Sequence, residues 1–364
     1  MPGEVLGLMS ENTSGAGADA TQGILAIDVG SGTQDILVWR QDQNVENCPK
    51  MVLPSATTIL AAKIDRARTQ GLHLFLSGRT MGGGPCSRAI RRHLEAGLKV
   101  FALRGPALTF HDNLEKVERM GVRIVEAKPQ GPGLAEIEMA DVNLESIEEA
   151  LGLFEVSLPR LVAVAVQDHG FSPNESNRAF RFKQWREVLE GGHDLDALLY
   201  STPPPHLTRM KAVTETVAGA WVMDTGAAAI LGALLDPWAS FRKEQGLTVV
   251  NIGNEHTVAA LYKGRRAWGF YEHHTSLLNP EKLKTHLERF RRGELTNQEI
   301  FEDVGHGCQV LPGAREQSAF EPLTITGPNR ARFQSLGGHM AAPFGDMMLT
   351  GCFGMVEALK RKKR

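Results

Sequence analysis

Short apolar runs bounded by glycine and polar turns alternate along this chain with stretches whose apolar positions recur at helical spacing. "GILAIDV" and "TQDILVW" predict two strands joined by a turn at Gly30–Thr33. "MVLPSATTILAAKIDRARTQG" predicts a strand and an amphipathic helix, and "LHLFLSGRTMGGGPCSRAIRRHLEAG" a strand, a loop and a helix. "KVFALRG" and "VRIVEAK" add short strands around the helix-like "TFHDNLEKVERMG". "QGPGLAEIEMADV", glycine-containing and acidic, reads as a surface connection ahead of the helix "NLESIEEALGLF" and the wholly apolar strand "RLVAVAVQ". "DHGFSPNESNRAFRFKQW" reads as polar and irregular, and "STPPPHLTRMK" as a rigid proline-rich loop. Repeated alternation of strand and helix implies α/β layering.

The second half opens with "WVMDTGAAAILGALLD", a predicted helix of small residues, and continues into "LTVVNIGNEHTVAALYKGRRAWGFYEHHT", another strand-turn-strand unit. Its turn, "NIGNEHT", mirrors "DVGSGTQ": a polar residue, a spacer, a glycine, then hydrogen-bonding side chains. The chain therefore carries two halves on one theme, as duplicated folds do. A helical stretch, the loop "HGCQVLPGA", the strand-turn "PLTITGPNRARF" and the small-residue helix "GDMMLTGCFGMVEALKRK" complete it.

The first turn carries more donor chemistry than a hairpin needs. Its glycines permit positive φ and the close approach of another group, so backbone N–H groups and the Ser31 and Thr33 hydroxyls can converge on an anion such as phosphate. Asp28 repels a bare phosphate but can hold a hydrated divalent cation that the phosphate also contacts. A bulged hairpin without a ligand is the alternative.

At 364 residues the chain exceeds what one core usually serves, which predicts two lobes. A formal charge of -2 with 42% hydrophobic residues describes a globular protein, and nothing in that balance points to nucleic acid or a bulk membrane partner. The basic ending "KRKKR" reads as a solvated helix end. Cys48, Cys86, Cys308 and Cys352 form no CxxC pair, against a zinc ribbon or a cysteine-rich iron–sulfur site, and fit reduced thiols in a cytoplasm. Residues 1–22 lack a basic n-region and an apolar h-region and read as a leader. No apolar run reaches transmembrane length.

Five pieces, in order, resemble the actin, heat-shock-chaperone and sugar-kinase superfamily of ATP-binding proteins. "DVGSGTQD" is similar to its first phosphate motif, "DTGAAAILGAL" to its first connecting helix, "NIGNEHT" to its second phosphate motif, "TITGPNRA" to its adenosine motif, and "GDMMLTGCFGMVEAL" to its second connecting helix. The resemblance covers residues 23 to 40 and 219 to 360. It implies a two-lobed actin-like fold with duplicated ribonuclease-H-like lobes and a large α/β insertion in the first: a leader at 1–22, a first lobe at 23–218 and a second at 219–364. Its implied cofactors are ATP and Mg²⁺. It places Gly30, Ser31, Gly32, Thr33 and Gln34 on the phosphates from one side, and Gly253, Asn254 and Thr257 from the other. Gly327, Pro328 and Asn329 fall on the adenosine, and Asp28 on the metal. The small residues Gly226, Ala227, Ala228, Gly232, Gly351 and Gly354 would let the connecting helices cross closely.

The chain also departs from the superfamily pattern. Asn251 stands where many members carry Asp, and Asn254, Glu255 and His256 replace small residues beside the γ-phosphate position. Asp224 sits where chaperone members carry a carboxylate, which makes it a candidate for orienting an attacking water or hydroxyl; the other reading is a helix N-cap. "GRTMGGGP", "DHGFSPNESNR" and "EHHT" further resemble a microbial family labelled as related to pyruvate formate-lyase activating enzymes. Such activases need a CxxxCxxC iron–sulfur motif, and no such spacing exists here.

"GRTMGGGP" can cradle an anionic substrate on Gly82 and Gly83 with Arg79 adding charge, and Asp168, His169 and Arg178 can form a polar substrate wall; ordinary turns and hydrogen-bonded loops are the alternatives. The chain has 12 histidines, and His169, His273, His274, His306 and His339 fall in loop-like stretches without any standard zinc spacing, so they read as structural or substrate-contacting, with a metal as the alternative. The expected function is that of a kinase or ATPase acting on a small polar metabolite. The competing reading is a nucleotide-dependent activator or binding protein with a protein client.

Overall fold

The computed structural model describes residues 23–362, so the expected leader and the last residues of the basic ending lie outside the described residues. β1 (Gly23–Val29), β2 (Thr33–Arg40) and β3 (Lys50–Pro54) form an antiparallel meander. β4 (His73–Gly78), β5 (Val100–Ala102), β6 (Val122–Ile124) and β7 (Leu134–Met139) make a separate parallel sheet in the order β6-β5-β4-β7. The chain returns to the first sheet with β8 (Leu161–Val166), the short β9 (Leu199–Tyr200) and β10 (Trp221–Asp224), giving the order β3-β2-β1-β8-β10-β9. The last sheet holds β11 (Leu247–Ile252), β12 (His256–Lys263), β13 (Arg266–His274), β14 (Gly307–Val310), β15 (Leu323–Thr326) and β16 (His339–Met340), in the order β14-β13-β12-β11-β15-β16.

The two six-stranded sheets share one plan. In each, an antiparallel meander leads to a strand parallel to the meander's first strand and then to one more parallel strand. This is the ribonuclease-H-like order in duplicate, so the chain has the two-lobed actin-like α/β fold, with the parallel sheet of β4–β7 as the insertion in the first lobe. That insertion buries its own core, including Leu74, Leu76, Ile90, Val100, Val117 and Ile137.

Pattern explains the placement. β1 is buried along its whole length because both faces are covered, and it accordingly reads apolar up to Asp28. Leu25 and Ile27 join one core cluster, whereas Ile24 and Ala26 join another that includes the helices Thr225–Ala233 and Thr350–Lys362. Those helices cross with their backbones in contact. A Cβ at Gly232 would lie 1.8 Å from the Thr350 carbonyl oxygen, and one at Gly354 1.9 Å from that of Ala228. Gly351 has another role: its missing side chain leaves room for the Asp28 carboxylate.

Three expectations need correction. "WVMD" is strand β10 of the first sheet and not the start of a helix, so the first lobe's sheet runs to Asp224 and not to 218; its Val222 and Met223 are buried between neighbours on both sides. "LAEIEM" is β7, an edge strand with alternating exposure, and not a connection. The irregular-looking "NRAFRFKQWREVLE" is the helix Asn177–Glu190, whose charged side chains conceal the apolar face of Phe182, Trp185, Val188 and Leu189. The basic ending is held down where it is described: Arg361 pairs with Glu357 and Asp194.

Candidate functional site

Asp28 near the end of β1, Gln167 just after β8, Asn251 in β11 and Thr326 closing β15 all line one cleft between the lobes. These are the carboxyl ends of the parallel strands, where open α/β sheets present their ligand sites.

Two hairpin turns face each other there. Gly30 donates its N–H to the Thr33 carbonyl at 2.9 Å, and Gly253 makes the same closing bond to His256 at 2.9 Å. The amides of both leading glycines are thus spent on the turns, whose central residues are Ser31–Gly32 and Asn254–Glu255; Ser31, Asn254 and Glu255 line the cleft. The first turn is fixed from behind. Ser55 N–H donates to the Gly32 carbonyl, and the Ser55 and Thr58 hydroxyls both donate to the Ser31 carbonyl, at 2.8 and 3.1 Å. Neither Gly30 nor Gly32 adopts a positive φ. What keeps Gly32 small is proximity, since a Cβ there would lie 2.5 Å from Asn254 Nδ2 of the opposite turn.

Behind the first turn two carboxylates oppose each other. Asp28 and Asp35 are direct partners in the β1–β2 ladder, so their side chains share a face, and both line the cleft. Burial pushes the Asp28 carboxyl up to about 6 despite the Thr225 hydroxyl that donates to it at 2.6 Å, and nearby Asp224 adds to the rise. Burial, then Asp28, raises Asp35 to about 8, and Asp35 Oδ1 has no hydrogen-bond partner. Two buried like charges with an orphaned oxygen fit a divalent cation, which would supply the missing counter-charge. Asp35 is absent from the ligands that the motifs suggest. The signal is nonetheless present in the sequence, because Asp28 and Asp35 flank the turn symmetrically and a tight hairpin must pair them.

Other expected residues are placed differently. Asp224 accepts from the N–H groups of Gly226 and Ala227 at 2.9 and 3.2 Å through one oxygen, and pairs with Arg181 at 2.7 Å through the other. It is the N-cap of the helix Thr225–Ala233 and half of a buried ion pair, and it does not line the cleft. Gln34 turns away and donates to the Pro54 carbonyl. The Thr257 hydroxyl pairs with that of Thr275 inside the second lobe. Asn329 holds the second turn and does not line the cleft: its Nδ2 donates to the Gly253 carbonyl at 3.0 Å and to Asn254 Oδ1 at 3.2 Å. Gly327 and Pro328 do line it. Gly327 requires glycine, since its φ is +98 and a Cβ would lie 2.5 Å from the Ile252 carbonyl oxygen.

In the middle section Gly82, Gly83 and His169 reach the cleft and the rest do not. Arg79 pairs with Glu215. Asp168 accepts from the N–H groups of Gly170 and Met210 at 2.8 and 2.9 Å, which shapes the loop. Arg178 donates to the Phe301 and Gly305 carbonyls and lies over the Phe301 ring. Arg209, which no motif singles out, does line the cleft; it is paired with Asp141, which also accepts from Gly82 N–H at 3.1 Å.

The family described as "Putative pyruvate format-lyase activating enzyme (DUF1786)" matches residues 81–332, more than half of the chain. The chain belongs to this family. Its four cysteines are unpaired and buried, and among the described residues none of them joins a group of three potential metal-ligating side chains. No curated protein matches the chain. Among solved structures, the ethanolamine utilization protein EutJ from Carboxydothermus hydrogenoformans is 13% identical, with 92% of this chain and 89% of that one covered and a TM-score of 0.33. The activator of the 2-hydroxyisocaproyl-CoA dehydratase from Clostridium difficile, with bound ADPNP, is 9% identical over 94% and 97%, with a TM-score of 0.32. MreB 5 of Spiroplasma citri, bound to AMPPNP, is 11% identical over 94% and 97%, with a TM-score of 0.35. Among the described residues no helix is long and apolar enough to cross a membrane.

Proposed function

We propose that the chain binds Mg²⁺–ATP in the cleft between its lobes and acts as a nucleotide-dependent switch on a partner, with slow hydrolysis. The observation that carries this reading is the opposed pair Asp28–Asp35, buried behind two glycine turns that face each other. Mg²⁺, when bound, neutralises phosphate charge. Asp28 and Asp35 would hold it, the Thr225 hydroxyl would keep Asp28 in place, and the central amides of both turns would take the phosphate oxygens. Gly327 and Pro328 leave room for the nucleoside.

Slow chemistry is favoured by Asp224, whose oxygens are committed to a cap and an ion pair. A metabolite kinase is the second reading, supported by Gly82, Gly83 and His169 in the cleft wall and weakened by Arg79, Asp168 and Arg178, which are tied into the scaffold. Thermal unfolding of the purified chain with Mg²⁺–ATP, Mg²⁺–ADP and Mg²⁺–GTP tests binding. Stabilisation by Mg²⁺–ATP is expected; no shift with any purine nucleotide would refute the reading. An assay of ADP formation then separates switch from kinase, since only a kinase forms ADP faster when an acceptor is added, the phosphoryl group passing to the acceptor.

A further inference from the structure

Four imidazoles meet where the second sheet faces the first lobe. His256 opens β12 and His274 closes β13; they are direct partners in the antiparallel ladder, with ring centroids 4.8 Å apart. His306 immediately precedes β14, where its N–H donates to the Glu272 carbonyl at 2.9 Å. Its ring lies 4.7 Å from that of His256 and 5.0 Å from that of His274. His169 arrives from the opposite lobe, in the loop after β8, with its ring 5.4 Å from His306 and 5.8 Å from His256. One nitrogen from each of His169, His256 and His306 lies within 4.8 Å of the others.

The polar accounting of these rings is incomplete. Neither nitrogen of His256 and not Nδ1 of His306 has a hydrogen-bond partner, although all three atoms are buried. A buried histidine with a scaffold role is normally satisfied. The neighbouring His273 shows the contrast: strand alternation turns it to the other face of β13, where Nε2 meets Asp303 at 2.9 Å and Nδ1 meets the His274 carbonyl at 3.2 Å.

We propose that His169, His256 and His306 form a site for a divalent transition metal of the zinc type, which bridges the two lobes and keeps an open coordination position toward the cleft. Three imidazoles are ligands of borderline softness, suited to zinc and its neighbours, whereas the Asp28–Asp35 oxygens suit a hard cation. Zn–N bonds of about 2.0–2.1 Å in a tetrahedron set the ligand nitrogens about 3.3 Å apart. His306 Nε2 and His169 Nε2 already stand 3.3 Å apart, so mainly the His256 ring has to move inward. His169 and His256 themselves line the cleft, which puts the fourth position within reach of a water or an anionic ligand.

Arg181 donates to both Asp224 and Glu272, so its charge is matched within the scaffold, and Arg178, which holds the Gly305 carbonyl, is a second cation near His306 that a bound metal ion must tolerate. Burial opposes the charge on Glu272, and Arg181, together with the neighbouring imidazoles, holds its carboxyl below the ordinary value. Burial holds His256 down at about 3 and His169 and His306 well below their ordinary value. Their lone pairs are therefore available at neutral pH with no proton to displace.

The untagged full-length chain, stripped with a chelator and free of nucleotide and Mg²⁺, is titrated with Co²⁺. The outcome is thereby independent of whether ATP binds. Visible ligand-field bands that saturate at one Co²⁺ per chain and are bleached by Zn²⁺ are expected, as is a higher unfolding temperature with Zn²⁺. His256→Ala and His306→Ala should each remove the bands while circular dichroism stays that of the parent. His169→Asn, in a loop, gives the same test with little risk to folding. Absence of bands in the parent chain, or bands that persist in the His256→Ala/His306→Ala double variant, would overturn the proposal.

Discussion

Asp28→Asn should make the ligand-free protein more stable and remove its response to Mg²⁺–ATP. Moving a carboxyl from its ordinary 3.8 to about 6 corresponds to roughly 3 kcal/mol of cost for charging it inside the fold. The sign follows from linkage: below about pH 4 the group is protonated in both states, and the stability it contributes there is lost as pH rises through about 6. At about pH 8 the parent therefore carries the full cost, and the neutral, isosteric asparagine carries none. The substituted amide can still accept from the Thr225 hydroxyl, and its NH₂ group stands opposite Asp35, whose Oδ1 lacks a partner. The variant should gain up to about 3 kcal/mol over the parent at about pH 8 and nearly nothing at about pH 4, a crossover that a generic packing change would not produce. Urea unfolding at both pH values, with and without Mg²⁺–ATP, measures it. A variant destabilised equally at both pH values would refute the argument that an uncompensated charge sits at this position.

Arg181→Met leaves Glu272 and Asp224 buried without their counter-ion and should cost about 3–5 kcal/mol, read by urea unfolding, because Arg181 is only 2% exposed. Gly354→Val should prevent the two connecting helices from meeting, since even its Cβ would lie 1.9 Å from the Ala228 carbonyl oxygen; soluble, cooperatively unfolding protein would contradict this. Asp224→Asn should keep the cap, since an amide oxygen still accepts from Gly226 and Ala227, but lower the unfolding midpoint through loss of the ion pair with Arg181, while slow ATP turnover, measured on the folded fraction, stays within a few-fold. Mg²⁺ affinity for the nucleotide complex should rise with pH as Asp28 and Asp35 lose their protons at about 6 and about 8; affinity that is flat across that window would speak against these ligands.

Much of the architecture was legible because duplicated turns and small-residue helices have strict spatial requirements. A glycine before a polar pair between apolar runs could only be a hairpin, and both such turns close with the same bond. What escaped was decided by partners distant in sequence. Nothing local distinguishes an Asp224 that directs water from one that caps a helix; the partner that ties up its second oxygen, Arg181, lies 43 residues earlier. Arg79 and Arg178 looked like recognition residues in loops, but Glu215 and the Phe301 and Gly305 carbonyls hold them. The histidine cluster draws one member from the first lobe and the rest from three different strand ends of the second, so no spacing rule could have gathered it. Charge patterning hid the helix Asn177–Glu190, whose apolar face is interrupted by the buried Arg181 that ties the lobes together.

The central claim, a cation-dependent nucleotide clamp built on Asp28 and Asp35, is tested most directly by calorimetric titration of ATP into the parent chain with and without Mg²⁺, repeated on the Asp28→Asn/Asp35→Asn double variant. The account predicts binding to the parent that tightens when Mg²⁺ is present, and no effect of Mg²⁺ on the double variant. Equal Mg²⁺ dependence in the parent and the variant, or no ATP binding to the parent, would contradict it.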